Sequence, residues 1–176
     1  MLKINSSLRI LGLAVVGAVA AASQVHAQTA DVIFTGTKGV TCTVRSVTPG
    51  SLATVDSTMM EGAGGLTTSG AGTAGNVVVN CTGGNSLVAV SSPVVVAAPV
   101  TPDQLQSVVE WGTEQTSAKV GTGSVSGYWD SLPSAPLLLT NAGTDQTLNV
   151  GMVIKDDVAL PNGTYQYNVT VTLAAN

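Results

Sequence analysis

Histidine is nearly missing from this chain, and the single one, His26, lies in a segment that reads as a cleavable export signal. Without it no Ser-His-Asp or Cys-His arrangement can be assembled, which excludes the common nucleophilic hydrolases. Cysteine is limited to Cys42 and Cys81. Neither a CxxC spacing nor a histidine accompanies them, so a redox motif or a zinc site has no support. Charge is scarce, at 9% of residues. Long apolar runs are missing too: no stretch approaches the roughly 20 residues of a transmembrane helix, so no stable membrane insertion is expected.

What is present begins with the signal. Lys3 and Arg9 form a basic start, Ile10 to Ala22 an apolar centre, and Val25-His26-Ala27 places small residues where a signal peptidase reads. Residues 1–27 are therefore expected to be removed. That leaves residues 28–176 as one exported domain, long enough to bury a core. Its basic residues are Lys38, Arg45, Lys119 and Lys155 against ten acidic ones, a net charge of −6. Nucleic acid and anionic membrane are poor partners for such a surface.

The C-terminus carries the cleanest period. Tyr165, Tyr167, Val169, Val171 and Leu173 alternate with polar residues, which predicts one half-buried strand of about ten residues after the turn Pro161-Asn162-Gly163. Gln146 to Ile154 alternates likewise, with Leu148, Val150, Met152 and Ile154 on one face, and is expected to be its antiparallel neighbour. Val40, Cys42 and Val44 form a third such row and Val77, Val79 and Cys81 a fourth. Both cysteines thus sit on the apolar faces of strands, and in an exported protein the only possible pair predicts a disulfide.

Shorter candidates are Val32 to Thr37, Ser51 to Val55, Ser86 to Ser91, Pro93 to Ala97, Ser124 to Tyr128 and Pro136 to Thr140. Many short strands with turn residues between them point to an all-β antiparallel sandwich. One helix signal stands out: Thr101-Pro102-Asp103-Gln104 supplies a cap, a first-turn proline and a glutamine ahead of Leu105, Val108 and Val109. Met59 to Gly75 is glycine-rich and reads as a long loop. Its glycines neither precede a helix nor carry a Lys-Ser/Thr pair, so no phosphate loop is expected.

Chemistry is thin. Glu110 with Glu114, or Asp156 with Asp157, are the only carboxylate pairs open to acid–base work, and no aromatic cleft surrounds them. Asp145, Asp156 and Asp157 lack the spacing of a calcium loop. Neither an enzyme nor a cofactor is expected. The neighbouring aromatics Tyr128 and Trp129 are a candidate sugar-stacking surface, although six aromatics in the exported chain are also in demand for the core.

Four stretches together carry a resemblance: Val32-Ile33-Phe34-Thr35-Gly36; Thr41-Cys42-Thr43-Val44; Gly75-Asn76-Val77-Val78-Val79-Asn80-Cys81-Thr82-Gly83-Gly84; and Leu160-Pro161-Asn162-Gly163-Thr164-Tyr165. In this order they resemble the pilin subunits of chaperone-usher fimbriae, closest to the spore coat U or archaic type. The resemblance implies an immunoglobulin-like sandwich lacking its last strand. It implies partners as well: a periplasmic chaperone, an outer-membrane usher and neighbouring fibre subunits. The product would be a fimbria-like surface fibre with a role in adhesion. Tyr165, Tyr167, Val169, Val171 and Leu173 would border the open groove and meet the chaperone. Ala30, Val32, Phe34 and Gly36 would form the donor strand that fills a neighbour's groove. The competing expectation is a self-contained secreted or surface binding module that uses Tyr128 and Trp129.

Overall fold

Cys42 and Cys81 meet because the rows that carry them pair directly. Strand β1 (Thr41–Thr48) runs antiparallel to β4 (Gly75–Thr82) with Cys42 opposite Cys81, and the two are joined as a disulfide. The expected bridge is present, and it lies within one sheet. The structure, a computed structural model, describes residues 39–62, 71–125, 127–140 and 143–176. These all fall in the compact unit Gly36–Asn176. The proposed signal (residues 1–27), the strand candidate Val32 to Thr37 and the row Ala30, Val32, Phe34 and Gly36 lie outside the described residues.

Between the cysteine strands come β2 (Ala53–Asp56) and β3 (Met59–Gly62), a tight hairpin. After β4 follow β5 (Ser86–Val90), β6 (Val94–Ala97), β7 (Gln104–Trp111) and β8 (Glu114–Val120). A single helical turn, α1 (Gly127–Asp130), precedes β9 (Leu137–Leu139) and β10 (Asp145–Lys155). The chain closes with β11 (Gln166–Asn168) and β12 (Val171–Ala175).

Strand β10 organises the first sheet. Its Asp145–Val150 half pairs with β4 and its Met152–Lys155 half with β3, while β7 occupies the opposite edge and carries β8 beyond it. The second sheet is β9-β5-β12, extended by the pair β6-β11. All pairings are antiparallel, and the inner faces meet in a core of Val79, Cys81, Val109 and Leu148 against Val88, Leu137 and Leu139. The expected antiparallel sandwich with one disulfide is the observed fold. The order β1-β4-β10-β7 matches the A-B-E-D sheet of an immunoglobulin domain, with β5/β6 and β11/β12 in the C and F places.

Four expectations are corrected. The helix predicted after Thr101 is strand β7, paired on both sides and buried along nearly its whole length. Val109 points into the main core and Val108 into a second cluster on the far face, with Met59, Val125, Trp129 and Val153. With both faces covered and polar Gln104, Gln106, Ser107 and Glu110 buried too, the period-2 signal vanishes, and Leu105, Val108 and Val109 at helical spacing imitate a helix face.

The strand predicted over Ser124 to Tyr128 instead leads into α1. Asp130 holds that turn by accepting the Val125 backbone N–H at 3.0 Å and the Ser124 hydroxyl. The glycine-rich loop predicted from Met59 begins as strand β3, while residues 63–70 are not described.

The fourth correction concerns the C-terminal row. It is not one strand beside Gln146 to Ile154 but two short strands, β11 and β12, in the opposite sheet. Its true partner, residues 86–97, contains Pro93, which has no N–H to give a ladder. Pairing lapses there and resumes beyond it.

Candidate functional site

The most distinctive surface feature is a groove of about 950 Å³ between the two sheets. One wall comes from the first sheet: Val47, Leu52, Met60, Val77, Val150 and Met152. The other comes from the C-terminal row: Tyr165, Tyr167, Val169 and Val171. Among the described residues, no charged side chain lines it.

Local sequence explains why the sheets part here. The β1–β4 register shifts between Val44 and Ser46, a bulge that bends the strand. Strand β1 ends at Thr48, and beyond Pro49-Gly50 Ser51 bonds Thr73 through paired backbone hydrogen bonds of 2.9 and 2.8 Å. A Cβ at Gly50 would lie 2.6 Å from the Gly75 nitrogen, so only glycine permits this crossing.

The C-terminal row keeps its parity through the break at Val169-Thr170. Tyr165, Tyr167, Val169, Val171 and Leu173 are half-buried, and Thr164, Gln166, Asn168, Thr170 and Thr172 are exposed. Val171 and Leu173 pack against the main core, whereas Tyr165, Tyr167 and Val169 face the groove without joining it. Leu173, expected in the groove, is therefore a core residue at its closed end. Among the described residues, β11 and β12 pair only with β6 and β5, so their other edge, which borders the groove, has no partner strand. This is the G place of the immunoglobulin arrangement.

Two phenols mark the row. The Tyr165 hydroxyl donates to the Pro161 carbonyl at 2.8 Å. The Tyr167 hydroxyl is buried with no hydrogen-bond partner. Desolvation, with a smaller contribution from Tyr165, pushes its pKa up to about 12.

Tyr128 and Trp129 sit elsewhere, on the far face of the first sheet. Trp129 is 3% exposed and belongs to the second cluster. Its ring meets that of Tyr128 edge-on, with centroids 5.9 Å apart. The Tyr128 hydroxyl donates to Glu110 Oε1 at 2.7 Å and accepts from Gln115 Nε2 at 2.8 Å. Burial and the Glu110 carboxylate hold this phenol well above its usual range. Trp129 is thus packed in the second cluster, while Tyr128 is half-buried.

The acidic pairs are divided between environments. Glu110 is buried and Glu114 exposed; Asp156 is buried and Asp157 exposed. Among the described residues no three His, Cys, Asp or Glu side chains form a metal-holding group. Sequence reasoning missed Glu61, which is 1% exposed with both carboxylate oxygens unpartnered. Met59, Glu61 and Gly62 are all buried on the short strand β3, and a glycine-rich loop reading carries no signal for that.

Ala30, Val32, Phe34 and Gly36 lie outside the described residues. No family model, curated protein or solved structure matches this chain.

Proposed function

We propose that this chain is a structural subunit of a fimbria-like surface fibre, in which an extended segment of a neighbouring copy completes the sandwich by entering the groove. One observation carries this reading: among the described residues, a largely apolar groove without charged side chains runs beside an unpaired strand edge, so an incoming strand gains backbone hydrogen bonds and buries alternate side chains together. Left empty, such an edge invites aggregation, which is the need a periplasmic chaperone and an outer-membrane usher would meet before assembly.

The segment proposed to enter is the stretch before β1, with Ala30, Val32, Phe34 and Gly36 inward. Fully extended, residues 28–40 reach about 40 Å, more than the roughly 23 Å length of Tyr165 to Val171. The chain enters β1 at Thr41, opposite Thr82, whereas the groove wall starts at Val47, roughly 20 Å further along the strand. Donor and acceptor are therefore different surfaces. A contact of this head-to-tail kind propagates a fibre when its rotation does not close into a ring.

The test uses the full chain exported to a periplasm and a synthetic peptide of residues 28–38. Denaturant-resistant oligomers without peptide, and a higher melting temperature with fewer oligomers when peptide is added, are expected. A chain that stays monomeric at every concentration, with a melting temperature indifferent to the peptide, would overturn the assembly reading.

A further inference from the structure

The turn that opens the C-terminal row holds chemistry of its own. Asn162 is followed by Gly163, and no other asparagine in the chain precedes a glycine. A glycine in that place leaves its backbone nitrogen unshielded by a Cβ, so the nitrogen is free to approach the asparagine side-chain carbonyl carbon.

Nothing in the fold engages either reactant. Asn162 is exposed, and its side chain makes no hydrogen bond. Gly163 lies outside every ladder, and its N–H donates to no backbone carbonyl. The flanks are anchored, by Tyr165 bonding Pro161 and by Gly163 lying so close to Pro99 that a Cβ would fall 2.3 Å from the Pro99 ring. The pair is held at one end of the groove, and Gly163 is part of its lining.

We propose that Asn162 is a self-modification site that converts to aspartate and isoaspartate at the groove mouth. The Gly163 nitrogen bonds to the Asn162 side-chain carbonyl carbon, the carbon–nitrogen bond of the amide breaks, and ammonia leaves with the proton released by the Gly163 N–H. Water then opens the five-membered imide at either carbonyl, giving aspartate or isoaspartate. Water is the only co-reactant.

The product sets a carboxylate beside a groove that has no charged lining among the described residues. Asp156 already acts electrostatically on Tyr165 at this end, so the new charge adds to an existing negative one. On the assembly reading above, on which this consequence rests, it opposes entry of the segment because that entry would bury a carboxylate without a partner.

The experiment ages the folded full chain at pH 8.5 and pH 5 and maps it by peptide mass spectrometry with an isoaspartate assay. Amide-to-acid conversion at Asn162 should be several-fold faster at the higher pH and several-fold faster than at Asn76, Asn80, Asn85, Asn149 and Asn168, and N162Q should abolish it. An Asn162 that persists in the folded chain while the unfolded chain converts would overturn the proposal, as would equal conversion at the other asparagines. In a parallel arm, N162D should capture the residue 28–38 peptide several-fold more weakly than the unmodified chain. Equal capture overturns the proposed consequence for the groove. No capture by either chain overturns the assembly reading, while the mass data decide the modification.

Discussion

Ser91 and Thr170 hold the second sheet together at the point where its ladder lapses. The Ser91 backbone N–H donates to the Thr170 carbonyl at 2.8 Å, and the Thr170 N–H donates to the Ser91 hydroxyl at 3.0 Å. A side chain thus takes the place of the missing backbone acceptor and keeps Tyr165 to Leu173 in phase. Ser91→Ala should cost about 0.5–1.5 kcal/mol, the usual worth of one hydrogen bond. Chemical denaturation of the monomer measures it, and an unchanged midpoint would show that the bond does not hold the two half-ladders.

The disulfide offers a second test. Thiol labelling of the unfolded, unreduced protein should find neither Cys42 nor Cys81 free. Cys42→Ser should destabilise the fold by about 2–5 kcal/mol, because the bridge closes a long loop that the unfolded chain would otherwise explore. A loss near zero would mean that the β1–β4 ladder from Thr41–Thr82 to Thr48–Asn76 already suffices.

Val169 and Val171 share a parity but not an environment, since only Val171 reaches the core. Val171→Asp should unfold the monomer, because a charge placed there is neither solvated nor paired. Val169→Asp should leave the monomer folded and abolish capture of the residue 28–38 peptide, and Thr170→Asp should do neither. Equal melting temperatures for the two valine variants would refute this division of the row.

Tyr167 predicts a dependence on alkaline pH. Its pKa rises from the model-compound value of 10.0 to about 12 in the fold, so the unfolded chain releases this proton first. The contribution to stability is complete below about pH 10 and is lost as pH climbs towards about 12. Tyr128, raised by burial and by Glu110, acts in the same direction. Denaturation midpoints across this range should fall less steeply in Tyr167→Phe, and an identical slope would remove Tyr167 as a cause.

Trp129 fills the second cluster between Val108 and Val153. Trp129→Ala should therefore cost about 3–5 kcal/mol, the range for emptying a large buried site. Tryptophan fluorescence during unfolding follows the loss, and a stable variant with impaired carbohydrate binding would return that residue to a ligand surface.

The legible parts of this protein are those in which one face of a strand is wet. The alternations through Cys81 and through Tyr165 to Leu173 survive in the structure because water on one side imposes period 2, whereas the row through Cys42 ends at the bulge that leaves Val44 exposed. Where water is excluded from both sides the signal fails. Gln104 to Trp111 is buried on two faces, and its cap-like entry Thr101-Pro102-Asp103 serves a strand. Trp129 shows the same limit, because an aromatic pair reads alike whether it faces solvent or is roofed by its own turn.

The sequence by itself determined that the chain is built of many short strands, that the C-terminal row buries one face, and which two sulfurs must pair, because these follow from local alternation and from a single possible partner. Only the tertiary structure decided that Cys42 and Cys81 lie within one sheet, that Tyr165 to Leu173 opposes Gln146 to Ile154 instead of pairing with it, and that Tyr167 and Val169 face a groove while Leu173 faces the core. Strand partners are chosen by contacts between residues far apart in the chain, through the whole pattern of burial and loop closure, and no local period encodes that choice.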